Sequence, residues 1–393
     1  MVSERMKGLG TARSVIRELF EYGKLRAAQV GAENVFDFSL GNPSVPAPDA
    51  VNDTAIRLLQ EQSDLIHAYT SAQGAADARE RFADSLNRRY GSHYTAGQLY
   101  LTVGAAASLC CVFNGLACPG DEFIVFAPYF PEYKVFIEGA GAKMVLIPPE
   151  IEAFQIDFDA FQASLSPKTK GVLINSPNNP SGVVYSRATL ERLAGILTEK
   201  SREYGHPIYL ISDEPYREII YSGVDVPWVP HIYRDTIVCY SFSKSLSLPG
   251  ERIGYVLVPG DITDSGDVYA AVAGAGRSLG YVCAPSLFQQ VTSLCCDMTS
   301  DITVYETNRN LLVTSLREMG YHVVEPGGAF YLFPRTLESD DMAFSERAKQ
   351  LDLLVVPGSG FGAPGHVRIS YCVQTETIRR ALPKFKELAD FYK

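Results

Sequence analysis

The chain is short of basic charge, patterned cysteines and long apolar runs, and each shortage excludes something. Lys and Arg number 35 against 45 Asp and Glu, a formal net charge of −10, which disfavours a nucleic-acid partner on electrostatic grounds. The acidity leaves the substrate open, because a small positive pocket can sit inside a negative shell. No apolar run approaches the roughly 18–20 residues that span a bilayer, and the opening Met-Val-Ser-Glu-Arg-Met-Lys lacks the apolar core of a signal peptide. No membrane association is expected. The eight cysteines include two adjacent pairs, Cys110-Cys111 and Cys295-Cys296, but neither CxxC spacing nor the density of a disulfide framework. Buried thiols in a reducing cytoplasm are the expectation, and no residue is assigned to a metal. Repeats, charge blocks and low-complexity tracts are absent.

What remains is an ordinary globular composition, 46% hydrophobic and 20% charged over 393 residues, enough for two domains or one large domain with a satellite. Residues 12–30 alternate apolar and charged groups at helical spacing. An extended segment, Val35 to Leu40, leads into Gly41-Asn-Pro-Ser-Val-Pro-Ala-Pro48, whose prolines exclude helix and central strand. Seven short runs rich in Val, Ile, Leu and Tyr follow, at 99–103, 122–126, 143–147, 171–175, 207–213, 236–241 and 254–258. Helical or turn segments separate them, which predicts strands buried on both faces and joined by crossover helices. Such a sheet binds ligands beyond the carboxyl ends of its strands. After 254–258, residues 273–285 read as loop and about 286–318 as one long amphipathic helix. Strand-like runs then lie at 321–324, 330–333, 353–357 and 366–371.

Chemistry-bearing residues cluster at the predicted strand ends. Lys244, in Ser241-Phe-Ser-Lys244, ends a buried strand, where desolvation would lower its pKa and free a nucleophilic amine. Arg252 and Gly254 follow a Pro249-Gly250 turn. Small residues Gly104, Ala105 and Ala106 open a helix whose free N–H groups suit an anion. Asp213 closes an apolar strand, a costly place for a carboxylate without a cation. Arg368 lies in a β-patterned apolar run and calls for a carboxylate in return. Each feature also has a plainer reading: a serine-rich surface loop, a helix cap, a structural ion pair. The asparagine–proline stretch Asn175-Ser-Pro-Asn-Asn-Pro-Ser-Gly182 would by itself be a turn.

Together these segments resemble the class I and II aminotransferases, the aspartate aminotransferase-like branch of the fold-type I pyridoxal-phosphate enzymes. The likeness covers nearly the whole chain, and the motifs fall in the family's order from Gly41-Asn-Pro43 to Arg368. The resemblance implies an α/β fold with a large domain built on a mostly parallel seven-stranded sheet flanked by helices, plus a smaller α+β domain. Residues 1–45 would form an amino-terminal arm belonging to the small domain, 46–285 the large domain, and 286–393 a long interdomain helix and the small carboxyl-terminal domain. The implied cofactor is pyridoxal 5′-phosphate, held as a Schiff base by Lys244, which afterwards serves as the base. Asp213 would keep the pyridine nitrogen protonated, while Asn179 and Tyr216 contact the phenolic oxygen. Phe130 would stack on the ring, with Tyr129 a one-residue alternative. Gly104, Ala105, Ala106, Ser241, Ser243 and Arg252 would hold the phosphate, joined by Tyr69 from the neighbouring subunit of a homodimer.

For the substrates, an amino acid and a 2-oxo acid, the resemblance assigns Arg368 to the α-carboxylate, with Gly41 and Asn179 close by. Ala106 stands where some aspartate aminotransferases have a lysine for the distal carboxylate. Arg277, in the segment before the long helix, lies near the place from which others supply an arginine across the dimer. Transamination is the leading expectation and a carbon–sulfur β-lyase resembling cystathionine β-lyase the alternative. A regulatory binding module is disfavoured by the intact Lys244, Asp213 and Arg368.

Overall fold

The computed structural model describes residues 2–12 and 14–393. A short strand, β1 (Phe36–Asp37), precedes the main sheet. That sheet comprises β2 (Leu99–Thr102), β3 (Glu122–Phe126), β4 (Lys143–Ile147), β5 (Thr169–Asn175), β6 (Tyr209–Asp213), β7 (Thr236–Ser241) and β8 (Gly254–Leu257). Their spatial order is β2-β8-β7-β6-β5-β3-β4. Neighbours from β7 to β4 pair in parallel, whereas β8 runs antiparallel to both β7 and β2. All seven strands expected from the sequence are present, within two residues at either end.

Both faces of the sheet are covered, which explains why its strands read as continuous apolar runs rather than as alternating ones. Phe123 and Val125 join Val112, Phe113 and Ile237 on one face, while Ile124 and Phe126 meet Phe161, Val172 and Leu190 on the other. Helix Ala105–Leu116 packs against helix Ser265–Ser278 so closely that a side chain at Gly115 would lie 3.0 Å from the backbone of Ala271.

The topology decides where the chemistry can gather. The carboxyl ends of β2, β5, β6 and β7 (Thr102, Asn175, Asp213 and Ser241) lie along one edge. The reversed strand β8 brings its amino end, Gly254, to the same edge. In register, Asn175 stands beside Asp213, and Gly254 stands between Ser241 and Thr102.

Beyond the main sheet, β9 (Tyr331–Leu332), β10 (Leu353–Leu354), β11 (Val356–Pro357) and β12 (Val367–Ser370) complete the strands. β11, β12 and β9 form an antiparallel sheet in that order, and β10 pairs in parallel with β1, tying the amino-terminal segment to the carboxyl-terminal part of the chain. Helices Thr303–Glu318 and Thr375–Asp390 bury Leu312 and Phe385 against Phe330, Leu332 and Ile369.

Four local expectations change. The amino-terminal helix runs Val15–Val30, capped by the Ser14 side chain on the Arg17 N–H, and residue 13 of the expected span lies outside the described residues. The stretch expected as loop from 273 is helical to Ser278, where Ala275 and Gly276 are buried and carry the helix on from Val272. The single helix expected over 286–318 is two, Ser286–Leu294 and Thr303–Glu318. Between them the Ser300 N–H leaves helical pairing to bond the Ser245 carbonyl at 2.8 Å, and the Asp301 carboxylate accepts from the Thr303 N–H at 3.0 Å to start the second helix. Residues 321–324 are not a strand. Among the described residues, their one backbone bond to an adjacent extended segment is the Arg335 N–H to the His322 carbonyl at 3.0 Å, and apolar alternation without a ladder is not enough.

At Gly254 an added Cβ would collide with the Tyr240 carbonyl oxygen and come within 3.1 Å of the Gly104 Cα. Gly254→Ala should therefore destabilise the protein by roughly 2–4 kcal/mol in urea denaturation, the cost of overpacking a rigid backbone contact. A change under about 0.5 kcal/mol would contradict the packing described here.

Candidate active site

A cavity of about 260 Å³ opens at this edge of the sheet, between it and the segments carrying Leu40, Tyr331 and Arg368. Nine of the residues singled out in the sequence line it: Gly41, Ala105, Ala106, Phe130, Asn179, Asp213, Tyr216, Lys244 and Arg368. A roomier cleft of about 610 Å³ lies near Gly205, His206, Arg234 and Asp235, at the opposite ends of β6 and β7, away from all of them.

Lys244 sits on a one-turn helix, Phe242–Ser245, directly after β7. Its Nζ donates to the Gly41 carbonyl at 2.6 Å, and burial, with Arg252 and Arg368 adding repulsion, lowers its pKa to about 8. A useful fraction of neutral amine is thus present near neutral pH.

Asp213 ends β6 fully enclosed. Tyr133 donates its hydroxyl proton to Asp213 Oδ2 at 2.5 Å, while Oδ1 is buried without a partner. Burial pushes the Asp213 carboxyl up to about 7, against the opposing pull of the Tyr133 hydrogen bond. An unpaired buried carboxylate oxygen aimed at a cavity is a site for a cation or an N–H donor.

The Asn175–Gly182 segment is clipped in place by its own side chains. Asn175 donates to the Asp213 carbonyl at 2.9 Å and accepts from the Asn179 N–H at 2.7 Å, and Asn178 accepts from Ser181. This fixes Asn179, whose Oδ1 accepts from Arg368 Nη1 at 3.1 Å. Arg368 Nη2 donates to the Ser39 carbonyl, Nε is buried without a partner, and no carboxylate of the described residues pairs with the guanidinium. Desolvation lowers the Arg368 pKa, the mark of a buried cation awaiting an anion.

Gly104, Ser241, Ser243 and Arg252 form a second group at the amino end of helix Ala105–Leu116. The Ser241 and Ser243 hydroxyls lie 2.7 Å apart, and Arg252 Nη1 reaches Ser243 Oγ at 3.4 Å. Gly104 has φ +95°, a conformation that side chains rarely adopt, and its Cβ position lies 2.6 Å from Arg252 Nη2. Hydroxyls, a guanidinium and free helix N–H groups meet there, the composition of an anion cradle.

Two expected residues stand apart. Tyr69 is 98% exposed, and Arg277, on the last turn of helix Ser265–Ser278, is exposed without an ion pair among the described residues. Neither lines the cavity of its own chain. Conversely, the cavity includes residues to which the sequence reading gave no role. Tyr133 follows Phe130 by three positions, and its ring meets that of Phe130 edge-on, with centroids 5.6 Å apart. Tyr331 places its hydroxyl 2.9 Å from that of Tyr216. The available signal was chemical: a tyrosine inside an apolar run must find a partner for its hydroxyl.

A lysine after the β7 end, an acid at the β6 end and an anion cradle by a helix terminus place the protein among the fold-type I enzymes. The comparisons agree. The family model for aminotransferase class I and II matches residues 33–385. An aspartate aminotransferase from Thermotoga maritima is 31% identical, covering 98% of this chain and 99% of its own. The crystal structure of an amino transferase from Eubacterium rectale superposes with a TM-score of 0.98 at 55% identity, covering 100% of this chain and 99% of that one. An aspartate aminotransferase from Thermus thermophilus with maleate has a TM-score of 0.85 at 27% identity, covering 99% of each chain. The chain belongs to the aminotransferase class I and II family. Its relatives' names favour transamination over the carbon–sulfur lyase alternative.

The Asp213 geometry has a measurable consequence in the cofactor-free protein. Its carboxyl binds a proton more tightly folded, near 7, than unfolded, near 3.9. The burial penalty is therefore absent below roughly pH 4, grows through the interval and is complete above about pH 7. Asp213→Asn removes it, so the cofactor-free variant should exceed the parent in stability by on the order of 2–4 kcal/mol at about pH 8, and by clearly less at about pH 5. Urea denaturation at the two pH values reads the difference, and an equal effect at both would refute the assignment.

Proposed function

We propose that the protein uses pyridoxal 5′-phosphate to move the amino group of an L-amino acid to a 2-oxo acid. The observation that carries this reading is the pair of unsatisfied buried atoms facing one cavity, Asp213 Oδ1 and Arg368 Nε. A protonated pyridine nitrogen answers the first, a substrate α-carboxylate the second. When bound, the cofactor supplies an electron sink for the Cα–H bond.

The chain's own residues do the rest. Lys244 would be the amine that holds the cofactor, and it would also move the proton at the substrate Cα, a role suited to its lowered pKa. Asp213 keeps a proton on the ring nitrogen. Asn179 and Tyr216 address the phenolic oxygen, and Phe130 covers one face of the ring. The Gly104–Ala106 backbone, Ser241, Ser243 and Arg252 hold the phosphate. Arg368 grips the α-carboxylate in a fork, with Gly41 and Asn179 fixing the approach.

The protein works as a homodimer in this reading, with Tyr69 completing the phosphate site of a second copy, a role its full exposure on a single chain supports. The sequence division at residues 45 and 285 gains support from the β1–β10 pairing, which puts the first segment with the last. A reducing cytoplasm suits the eight unpaired cysteines.

The proposed amino donor is aspartate or glutamate. Two aspartate aminotransferases are among the relatives above, one of them solved with maleate. Among the described residues, the cavity presents Ile16, Leu40, Leu109 and Phe136, with no cation besides Lys244 and Arg368. A cation from a second copy would answer a distal carboxylate, and Arg277 is exposed with no ion pair among the described residues.

Loaded with pyridoxal 5′-phosphate, the protein should lose its visible band on addition of aspartate alone, without any oxo acid. Arg277→Ala should raise KM for aspartate at least about tenfold. If the band bleaches only with apolar or aromatic amino acids, and Arg277→Ala is silent, the dicarboxylate part fails while transamination stands. Arg368→Gln should cut kcat/KM for every amino acid by about 10²–10³, as expected for losing a buried carboxylate–guanidinium pair. A fully active monomer on size exclusion would overturn the role of Tyr69.

A further inference from the structure

We propose that Tyr331 is a positioning residue that aims the Tyr216 hydroxyl at the cofactor's phenolic oxygen and links that hydrogen bond to Arg368. The inference rests on the reading of Tyr216 above and adds a residue to it. Tyr216 and Tyr331 bring their hydroxyls to 2.9 Å, both are buried, and neither hydroxyl bonds any other group among the described residues. Between two such hydroxyls one proton is shared and the other is left to point elsewhere. Which tyrosine donates therefore decides whether the Tyr216 proton faces the cavity.

The surroundings favour Tyr331 as the donor. The Arg368 guanidinium lies 4.9 Å from the Tyr331 ring centroid, and a nearby cation makes a phenol the stronger acid and the better donor. Burial raises both tyrosines, and the Arg368 guanidinium pulls each of them back down. The charged and titratable groups facing the pair are Arg368 and Cys372 on the β12 side, Asp213 at the end of β6 and Lys244 after β7. With Tyr331 donating to the Tyr216 oxygen, the Tyr216 proton is free for the phenolic oxygen, and the chained arrangement strengthens that bond.

The backbone holds this geometry. Gly41 has no side chain, and the Tyr331 hydroxyl fills the place where its Cβ would be. The Gly41 carbonyl meanwhile receives Lys244 at 2.6 Å. One glycine thus sets the distances to the reactive amine and to the tyrosine pair.

The test is the pH titration of the visible band of the protein loaded with pyridoxal 5′-phosphate. A hydrogen bond from Tyr216 stabilises the ionised phenolic oxygen and keeps the titration midpoint low. Tyr331→Phe keeps the ring and removes the donor, so the midpoint should rise by about half a pH unit or more, the size expected from weakening one hydrogen bond. In a Tyr216→Phe background the same change should add nothing, because its target is gone. Gly41→Ala, which displaces the hydroxyl without removing it, should shift the midpoint upward as well and serves if Tyr331→Phe folds poorly, provided the shift disappears in the Tyr216→Phe background, since a shift acting through the Gly41 carbonyl on Lys244 would persist there. An unchanged midpoint in Tyr331→Phe, or a full shift persisting without Tyr216, would overturn the proposal. A parent protein that takes up no cofactor and shows no visible band would overturn both this inference and the function proposed above.

Discussion

Desolvation of three charges at one edge of a sheet is the constraint on which the rest of the site depends. Asp213, Lys244 and Arg368 are all enclosed by protein, and none has an oppositely charged side chain of the described residues in contact. Burying an ion without a counter-ion costs several kcal/mol, so three together are tolerated only in a scaffold stable enough to hold them. The scaffold here is the parallel sheet sealed by helices on both faces. Its strand ends deliver Asp213 and Lys244 at fixed spacing, and β12 delivers Arg368 from the other side of the cavity.

The neighbouring acid shows what the same position looks like when it is structural. Glu214, one residue beyond Asp213, is equally buried. It is bound by the Arg217 guanidinium and by the Ser212 hydroxyl at 2.7 Å. Arg217 also donates to the Val226 and Pro227 carbonyls and lies 4.8 Å from the Trp228 ring centroid. Every demand of that ion pair is met within the chain, so it stiffens the strand exit. Asp213 has a single tyrosine hydroxyl and one free oxygen. The difference between a satisfied and an unsatisfied buried acid, two adjacent residues apart in role, is the clearest local evidence for where a ligand belongs.

Hydrogen bonding within the site follows the same division. The asparagine loop is held by its own side chains together with the Asp213 carbonyl, and Gly41 and Ser39 lend backbone carbonyls to Lys244 and Arg368. Those carbonyls give partial compensation without neutralising either cation. The tyrosines Tyr133, Tyr216 and Tyr331 add neutral hydroxyls that direct protons while adding no charge. A site built this way stays preorganised before its ligands arrive.

Much of this was written in the sequence because it depends on local chemistry. Continuous Val-, Ile- and Tyr-rich runs announced strands buried on both faces, and the Gly104 and Asn175–Gly182 segments carried turn residues at fixed spacing. Lys244, Asp213 and Arg368 stood out as charges inside apolar patterns. The break between Leu294 and Thr303 was hidden, since it is fixed by Ser300 reaching Ser245, some 55 positions away in the chain. The helical state of 273–278 depended on packing beside Ala105–Leu116. Tyr133 and Tyr331 were indistinguishable from core aromatics until their hydroxyls had partners. Sequence alone determines which groups are costly to bury. Only the tertiary structure decides which of them are left unpaired, because that depends on contacts between residues far apart in the chain.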